Sequence, residues 1–215
     1  MKKFLLPLAL AAALLAIPVA QAAPVTFTAV LNGPSEVPVN ASPGTGFATV
    51  IFDPALHTMS LTVNFSGLLG NTTAAHIHCC TAIANAGTVG VATQTPSFIG
   101  FPLGVTSGTY TNLFDMALAS SFNAAFITGN GGTTASAEAA LLAGATANKS
   151  YLNIHTSAFG GGEIRGFLVQ VQAVPEPGSL ALLALALIGL AIARKRNGAL
   201  ESLGAGTGKG ASTRV

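Results

Sequence analysis

Residues 58–65 read Thr-Met-Ser-Leu-Thr-Val-Asn-Phe, and every second side chain is apolar. Met59, Leu61, Val63 and Phe65 alternate with Thr58, Ser60, Thr62 and Asn64. A strand turns successive side chains to opposite faces, so this pattern predicts one face in a core and one in water. Val25, Phe27, Ala29 and Leu31 repeat it around Thr26 and Thr28, and Phe47 to Phe52 is an unbroken β-type run. Asp53-Pro54-Ala55 is a turn signal, because Pro presets φ and Asp bonds its own downstream backbone. The two flanking strands therefore form a hairpin, with His57 in its turn. Further strands are expected at Ala74 to His78, Asn112 to Leu118, Lys149 to Thr156 and Glu163 to Val171.

Two stretches depart from the alternation. Gly87 to Gly108 holds Pro96, Pro102 and several glycines, and reads as a long surface loop. Thr134 to Ala143 is Ala- and Leu-rich and reads as one short helix, with Gly144 suited to a left-handed cap. Many short strands, Gly-rich turns and one small helix predict an all-β fold, an antiparallel, Greek-key-like sandwich.

The ends of the chain have a different character. Lys2 and Lys3 precede the apolar run Phe4 to Ala16, and Ala20-Gln21-Ala22 offers small residues at a cleavage site. That order predicts an export signal over residues 1–22, with signal peptidase as the processing partner. At the far end Val174-Pro175-Glu176-Pro177-Gly178 interrupts regular structure, because proline fixes φ and removes a donor. Ser179 to Ala193 is then apolar throughout, and Arg194-Lys195-Arg196 follows. Those fifteen residues would span about 22 Å as a helix, a short hydrophobic anchor whose basic end stays cytoplasmic.

Val174, Pro175, Glu176 and Pro177, the brief apolar helix, and Arg194, Lys195 and Arg196 together resemble the PEP-CTERM sorting signal of Gram-negative bacteria. In that family the segment is held in the inner membrane and cut by an exosortase. The product is released toward the envelope or extracellular matrix, often in species that make exopolysaccharide. The resemblance over 174–196 thus implies exosortase as a partner, with exopolysaccharide or matrix proteins as eventual neighbours. The family usually ends just after the basic residues. Here residues 197–215 add a Gly-rich tail that reads as disordered.

Between the ends lies one domain, residues 23–173. It carries Glu36, Asp53, Asp115, Glu138 and Glu163 against Lys149 and Arg165, five acids and two bases for a net charge of −3. The whole chain's +2 is therefore −3 in the domain offset by +5 at its ends. A nucleic-acid partner needs clustered Lys and Arg, and that class is rejected. The only two cysteines, Cys79 and Cys80, are adjacent. They could be free thiols, a vicinal disulfide or an intermolecular bridge, and a redox role stays open.

Three segments stand out for chemistry: Ala75-His76-Ile77-His78, Tyr151-Leu152-Asn153-Ile154-His155-Thr156 and Gly161-Gly162-Glu163-Ile164-Arg165-Gly166. With Gly33-Pro34-Ser35-Glu36-Val37-Pro38 they are similar to the CHRD domain, named for its repeats in chordin. The resemblance spans about residues 25–171 and implies an extracellular β-domain.

On strands, His76 and His78 share a face, as do Tyr151, Asn153 and His155. If those strands are neighbours, three imidazoles meet, and three neutral imidazoles can hold Cu or Zn with one position open. A cysteine would join that face if the strand ran on to Cys80. The alternative is a polar face in which the histidines bond Asn153, Thr156 and backbone carbonyls. His-Ile-His is also similar to Cu/Zn superoxide dismutase, itself a β-sandwich. That enzyme needs a larger histidine set plus an aspartate, and only His57 remains, so dismutase activity is not expected.

Glu163 and Arg165 share a strand face and read as a structural ion pair, with Asp53 or Glu36 as a further partner. No Gly-x-Ser-x-Gly, phosphate-loop or His-Glu-x-x-His motif is present, which favours a non-enzyme. The sequence reads as an exported envelope- or matrix-associated binding or structural module. The rival reading is a Cu- or Zn-binding protein using His76, His78 and His155.

Overall fold

Eight antiparallel strands carry the fold: β1 (Val25–Asn32), β2 (Thr45–Asp53), β3 (Thr58–Ser66), β4 (Thr72–His78), β5 (Gly108–Asp115), β6 (Tyr151–Thr156), β7 (Ile164–Phe167) and β8 (Val169–Gln170). They come from a computed structural model that describes residues 22–172, 183, 185–192 and 194. The expected export signal (apart from Ala22), the sorting residues Val174, Pro175, Glu176, Pro177, Lys195 and Arg196, and the tail 197–215 lie outside the described residues.

The chain divides into two units, Met1–Gln172 and Ala173–Val215. In the second unit the described residues, Arg194 among them, are helical and exposed. No helix among the described residues is long and apolar enough to cross a membrane.

In the first unit the strands follow the order β4-β6-β7-β1-β2-β3-β5, with β8 pairing β1. This is the all-β antiparallel class the sequence predicts, built as one sheet curled into a half-barrel. The β2–β3 hairpin forms where expected, and Asp53 Oδ1 accepts the N–H groups of Ala55 and Leu56 in its turn. His57 takes a left-handed φ of 52° there, and its Nδ1 lies 2.8 Å from Glu138.

Alternation decides what the curl encloses. Phe27, Leu31, Val50, Phe52, Met59, Leu61 and Val63 point inward from β1–β3, and Ala75, Ile77, Leu152 and Ile154 from β4 and β6. Each large side chain fully removed from water contributes roughly 1.5–3 kcal/mol.

Several boundaries differ from the sequence reading. The strand placed at Asn112 to Leu118 begins earlier and ends at Asp115, where a 3-10 turn over Ala119–Ser121 takes over. The run Glu163 to Val171 breaks at Leu168, which buries itself and donates its N–H to Ser150 instead of a neighbouring strand.

The stretch 87–108 does not lie wholly on the surface. Ala92, Phe98 and Phe101 are buried, because an open half-barrel needs apolar side chains to close it. Among the described residues of the first unit, two α-helices stand where the sequence placed one. α1 (Ala124–Gly129) is capped by Asn123, and α2 (Thr134–Thr146) by a Thr133–Ser136 capping box. α2 runs through Gly144, so that residue is not a cap. A Cβ there would collide with both cysteine sulfurs, and Asn148 takes the left-handed conformation instead.

Candidate metal centre

β4 and β6 are neighbours although 72 residues lie between His78, the last residue of β4, and Tyr151, the first of β6, which pair directly. His76 faces Asn153 across the ladder, and His155 sits opposite Ala74. The inward face takes Ala75, Ile77, Leu152 and Ile154. The opposite face therefore collects His76, His78 and His155. Their ring centroids lie 5.2 Å (His76–His155), 5.8 Å (His76–His78) and 6.0 Å (His78–His155) apart.

Each ring uses one nitrogen on a backbone carbonyl. His76 Nε2–H donates to Pro96 at 2.6 Å, His78 Nδ1–H to Val89 at 2.8 Å, and His155 Nδ1–H to Gly160 at 3.0 Å. A carbonyl only accepts, so each bonded nitrogen carries the proton and the other keeps its lone pair. Those others, His76 Nδ1, His78 Nε2 and His155 Nε2, are buried and have no partner. The three rings present one ligand atom apiece within 4.8 Å of one another.

Burial lowers the pKa of all three, because a charged imidazolium is poorly solvated there. For His78 burial outweighs the Val89 carbonyl, and His155, His76 and Arg165 push the same way, to about 4. At neutral pH the rings are uncharged, the state a metal requires, and no proton has to be expelled.

A second layer backs the cluster. Tyr151 stacks on His78 at 4.7 Å and 4°, and the Arg165 guanidinium lies over the Tyr151 ring, 4.7 Å from its centroid. Arg165 donates to the carbonyls of Ser35 and Gly87, and its carboxylate partner is Glu36 at 3.8 Å. Burial raises Glu36 to about 7, against the pull of Arg165 and the Val37 N–H.

Two family models match the chain. A model of the CHRD domain matches residues 27–168, nearly all of the first unit. The chain belongs to the CHRD domain family. A PEP-CTERM protein-sorting motif matches residues 173–196. This CHRD protein is therefore exported, carries a membrane-anchoring signal at its C-terminal end, and is processed by an exosortase. No curated protein and no solved structure matches the chain.

The structure separates Glu163 from Arg165, which do not form the ion pair read from the sequence. Glu163 precedes β7, and the turn at Gly162, with φ of 129°, removes it from the strand's alternation. Its carboxylate instead accepts from Ser42 Oγ, Thr156 Oγ1 and the backbone N–H groups of Leu69 and Gly70. Burial alone would raise its pKa, but these four donors hold it below the usual carboxylate range.

Cys79 and Cys80 are joined to each other, and β4 ends at His78 before either. Both sulfurs abut Gly144 of α2. The expected cysteine ligand is therefore not part of the histidine face. The histidines do bond carbonyls, as the rival reading supposed, but not Asn153 or Thr156.

Sequence reading missed the carbonyls of Pro96, Val89 and Gly160. Backbone groups leave no residue-type signal, so no motif could have found them. It also missed Asn153 Oδ1 and Glu36 Oε1, two further buried oxygens without a partner.

Proposed function

We propose that this exported CHRD protein binds a single copper or zinc ion through His76, His78 and His155. The observation that carries the reading is a cluster of three histidines, each offering a ligand atom within 4.8 Å of the others and each keeping one buried ring nitrogen without a partner. A buried acceptor without a partner costs the fold roughly 1–3 kcal/mol. Three gathered at one point have a common remedy in a cation. The carbonyls that take the other ring nitrogens fix tautomer and orientation, as outer-shell groups do in metal sites.

Atoms no more than 4.8 Å apart lie at most about 2.8 Å from a common centre, so an inward shift of at most about 0.7 Å brings them to bonds of about 2.0–2.1 Å. The cargo released toward the envelope or matrix after processing is the domain over 23–173. It meets metal outside the cytoplasm.

The test is metal content of the exported chain purified without chelator, with His78→Ala as control. About one equivalent of copper or zinc is expected in the wild type and none in the variant. Added metal at a hundredfold excess over Kd should contribute about 2.7 kcal/mol. That raises Tm by roughly 5–11 °C for a domain of this size. Metal-free wild type with an unmoved Tm overturns the reading. A binding or structural module with an exopolysaccharide or matrix partner then takes its place.

A further inference from the structure

Three neutral nitrogens supply no charge to the ion they hold, and that has a consequence for which ion it is. Among the described residues the ligand cluster contains no aspartate, glutamate or cysteine. A bound metal keeps its full charge, +1 for Cu(I) and +2 for Zn(II) or Cu(II). The groups that orient the rings are the carbonyls of Pro96, Val89 and Gly160, also uncharged. Outer-shell carbonyls orient the rings as carboxylates would, but add no negative charge to offset a dication.

The charged neighbours do not compensate. Arg165 and His78 each lie 4.7 Å from the Tyr151 ring, so the guanidinium is no more than two 4.7 Å steps from the His78 ring. Glu36 is turned to Arg165. Glu163 is bonded to Thr156, which shares the inward parity of Leu152 and Ile154, so its carboxylate lies across β6 from His155. Glu138 is engaged with His57.

Burying an ion costs in proportion to the square of its charge, and repulsion from Arg165 doubles for a dication. Coordination number points the same way. Zn(II) requires a fourth donor to complete a tetrahedron, whereas Cu(I) is satisfied by three ligands in a plane.

We infer that the three-histidine site is a Cu(I) site, holding Cu(I) in preference to Zn(II) and to Cu(II). The inference rests on the metal-binding reading above and adds the identity and oxidation state of the ion. The domain then carries cuprous ion outside the cytoplasm, in a pocket that disfavours its oxidation.

The experiment uses the exported full chain. Under ascorbate and without oxygen, Cu(I) is competed against bicinchoninate, and Zn(II) against a chromogenic zinc chelator, both at pH 8. Cu(I) is expected to remain bound in a hundredfold excess of Zn(II). Zn(II) displacing Cu(I), or Cu(II) binding more tightly than Cu(I), overturns this inference alone. Failure of all three ions to bind removes the metal-binding reading as well.

Glu36→Gln, compared with wild type at pH 8 where Glu36 is mostly ionised, gives an independent reading of the charge argument, because it removes the anion that offsets Arg165. Near-UV circular dichroism first establishes that the variant is folded. Its Cu(I)-over-Cu(II) preference should widen about tenfold, a rise of about 59 mV in the one-electron potential. An unchanged or lowered potential in the folded variant overturns the inference.

Discussion

Glu163→Gln tests the most heavily bonded side chain in the domain. The carboxylate is 0 % exposed, yet it stays ionised because four donors converge on it. Ser42 Oγ and the Leu69 N–H reach Oε1 at 2.6 Å each, while Thr156 Oγ1 at 2.6 Å and the Gly70 N–H at 3.1 Å reach Oε2. In glutamine one of these positions becomes an NH2. A hydroxyl can turn and accept from it, but a backbone N–H cannot. Either amide orientation therefore leaves Leu69 or Gly70 facing another donor. Loss of one charge-assisted bond costs about 1.5–3 kcal/mol, and the remaining bonds weaken as the charge disappears. Relief of the buried charge offsets part of this, leaving about 3 kcal/mol of destabilisation at pH 7, or roughly 6–12 °C in Tm.

The pH dependence gives the sharper test. Glu163 has a lower pKa folded than its ordinary value of 4.5. Its stabilisation is complete above the unfolded value and is lost as pH falls through the folded one. Urea denaturation followed by circular dichroism from pH 3 to 8 should show the wild type and Glu163→Gln farthest apart above pH 5, converging in acid. Every other acid titrates in both proteins, so the difference belongs to Glu163. A gap below about 0.5 kcal/mol at pH 7, or one that persists unchanged to pH 3, would refute the ionised hub.

Two further outcomes follow from the same reasoning. A Cβ on Gly166 would fall on the Val30 carbonyl across β7 and β1, so Gly166→Ala should cost about 2–4 kcal/mol in denaturant melts, while Gly90→Ala, with open space around it, should change little. Glu36 is raised to about 7, so the native state keeps a proton the unfolded chain has lost, and this group's contribution to stability falls as pH rises from 4.5 to 7. Glu36→Gln should flatten that slope by up to about 3 kcal/mol relative to wild type. The buried histidines push the opposite way in both proteins, and identical slopes would show that Glu36 does not titrate there.

The strands were legible because each has one dry face, and alternation records that directly. So were the shared faces of His76 with His78 and of Tyr151, Asn153 and His155. That β4 and β6 are partners was not legible, since pairing across so long an intervening chain leaves no local trace. The burial of Phe98 and Phe101 was hidden by surrounding Gly and Pro, whose presence says only that the backbone is irregular. α1 was missed because six residues are too few to show a helical period. Parity misled at Glu163 because a turn at Gly162 separates it from β7, a backbone event that two-residue periodicity assumes away.

The candidate site owes its geometry to loops that are fixed for other reasons. The segment after β6 returns through Gly160, whose carbonyl holds His155, to Glu163, whose carboxylate ties Thr156 to the Leu69–Gly70 turn. Asn40 bonds the Glu163 carbonyl from the other side. The segment after β4 supplies the Val89 and Pro96 carbonyls and is pinned by burying Ala92 and Phe98. Core packing and one ionised carboxylate thus orient three imidazoles without any side chain touching their protonated nitrogens. That economy leaves the groups that accept the imidazole protons uncharged. It also explains why the sequence records the centre only as three histidines, with everything that aims them written in backbone.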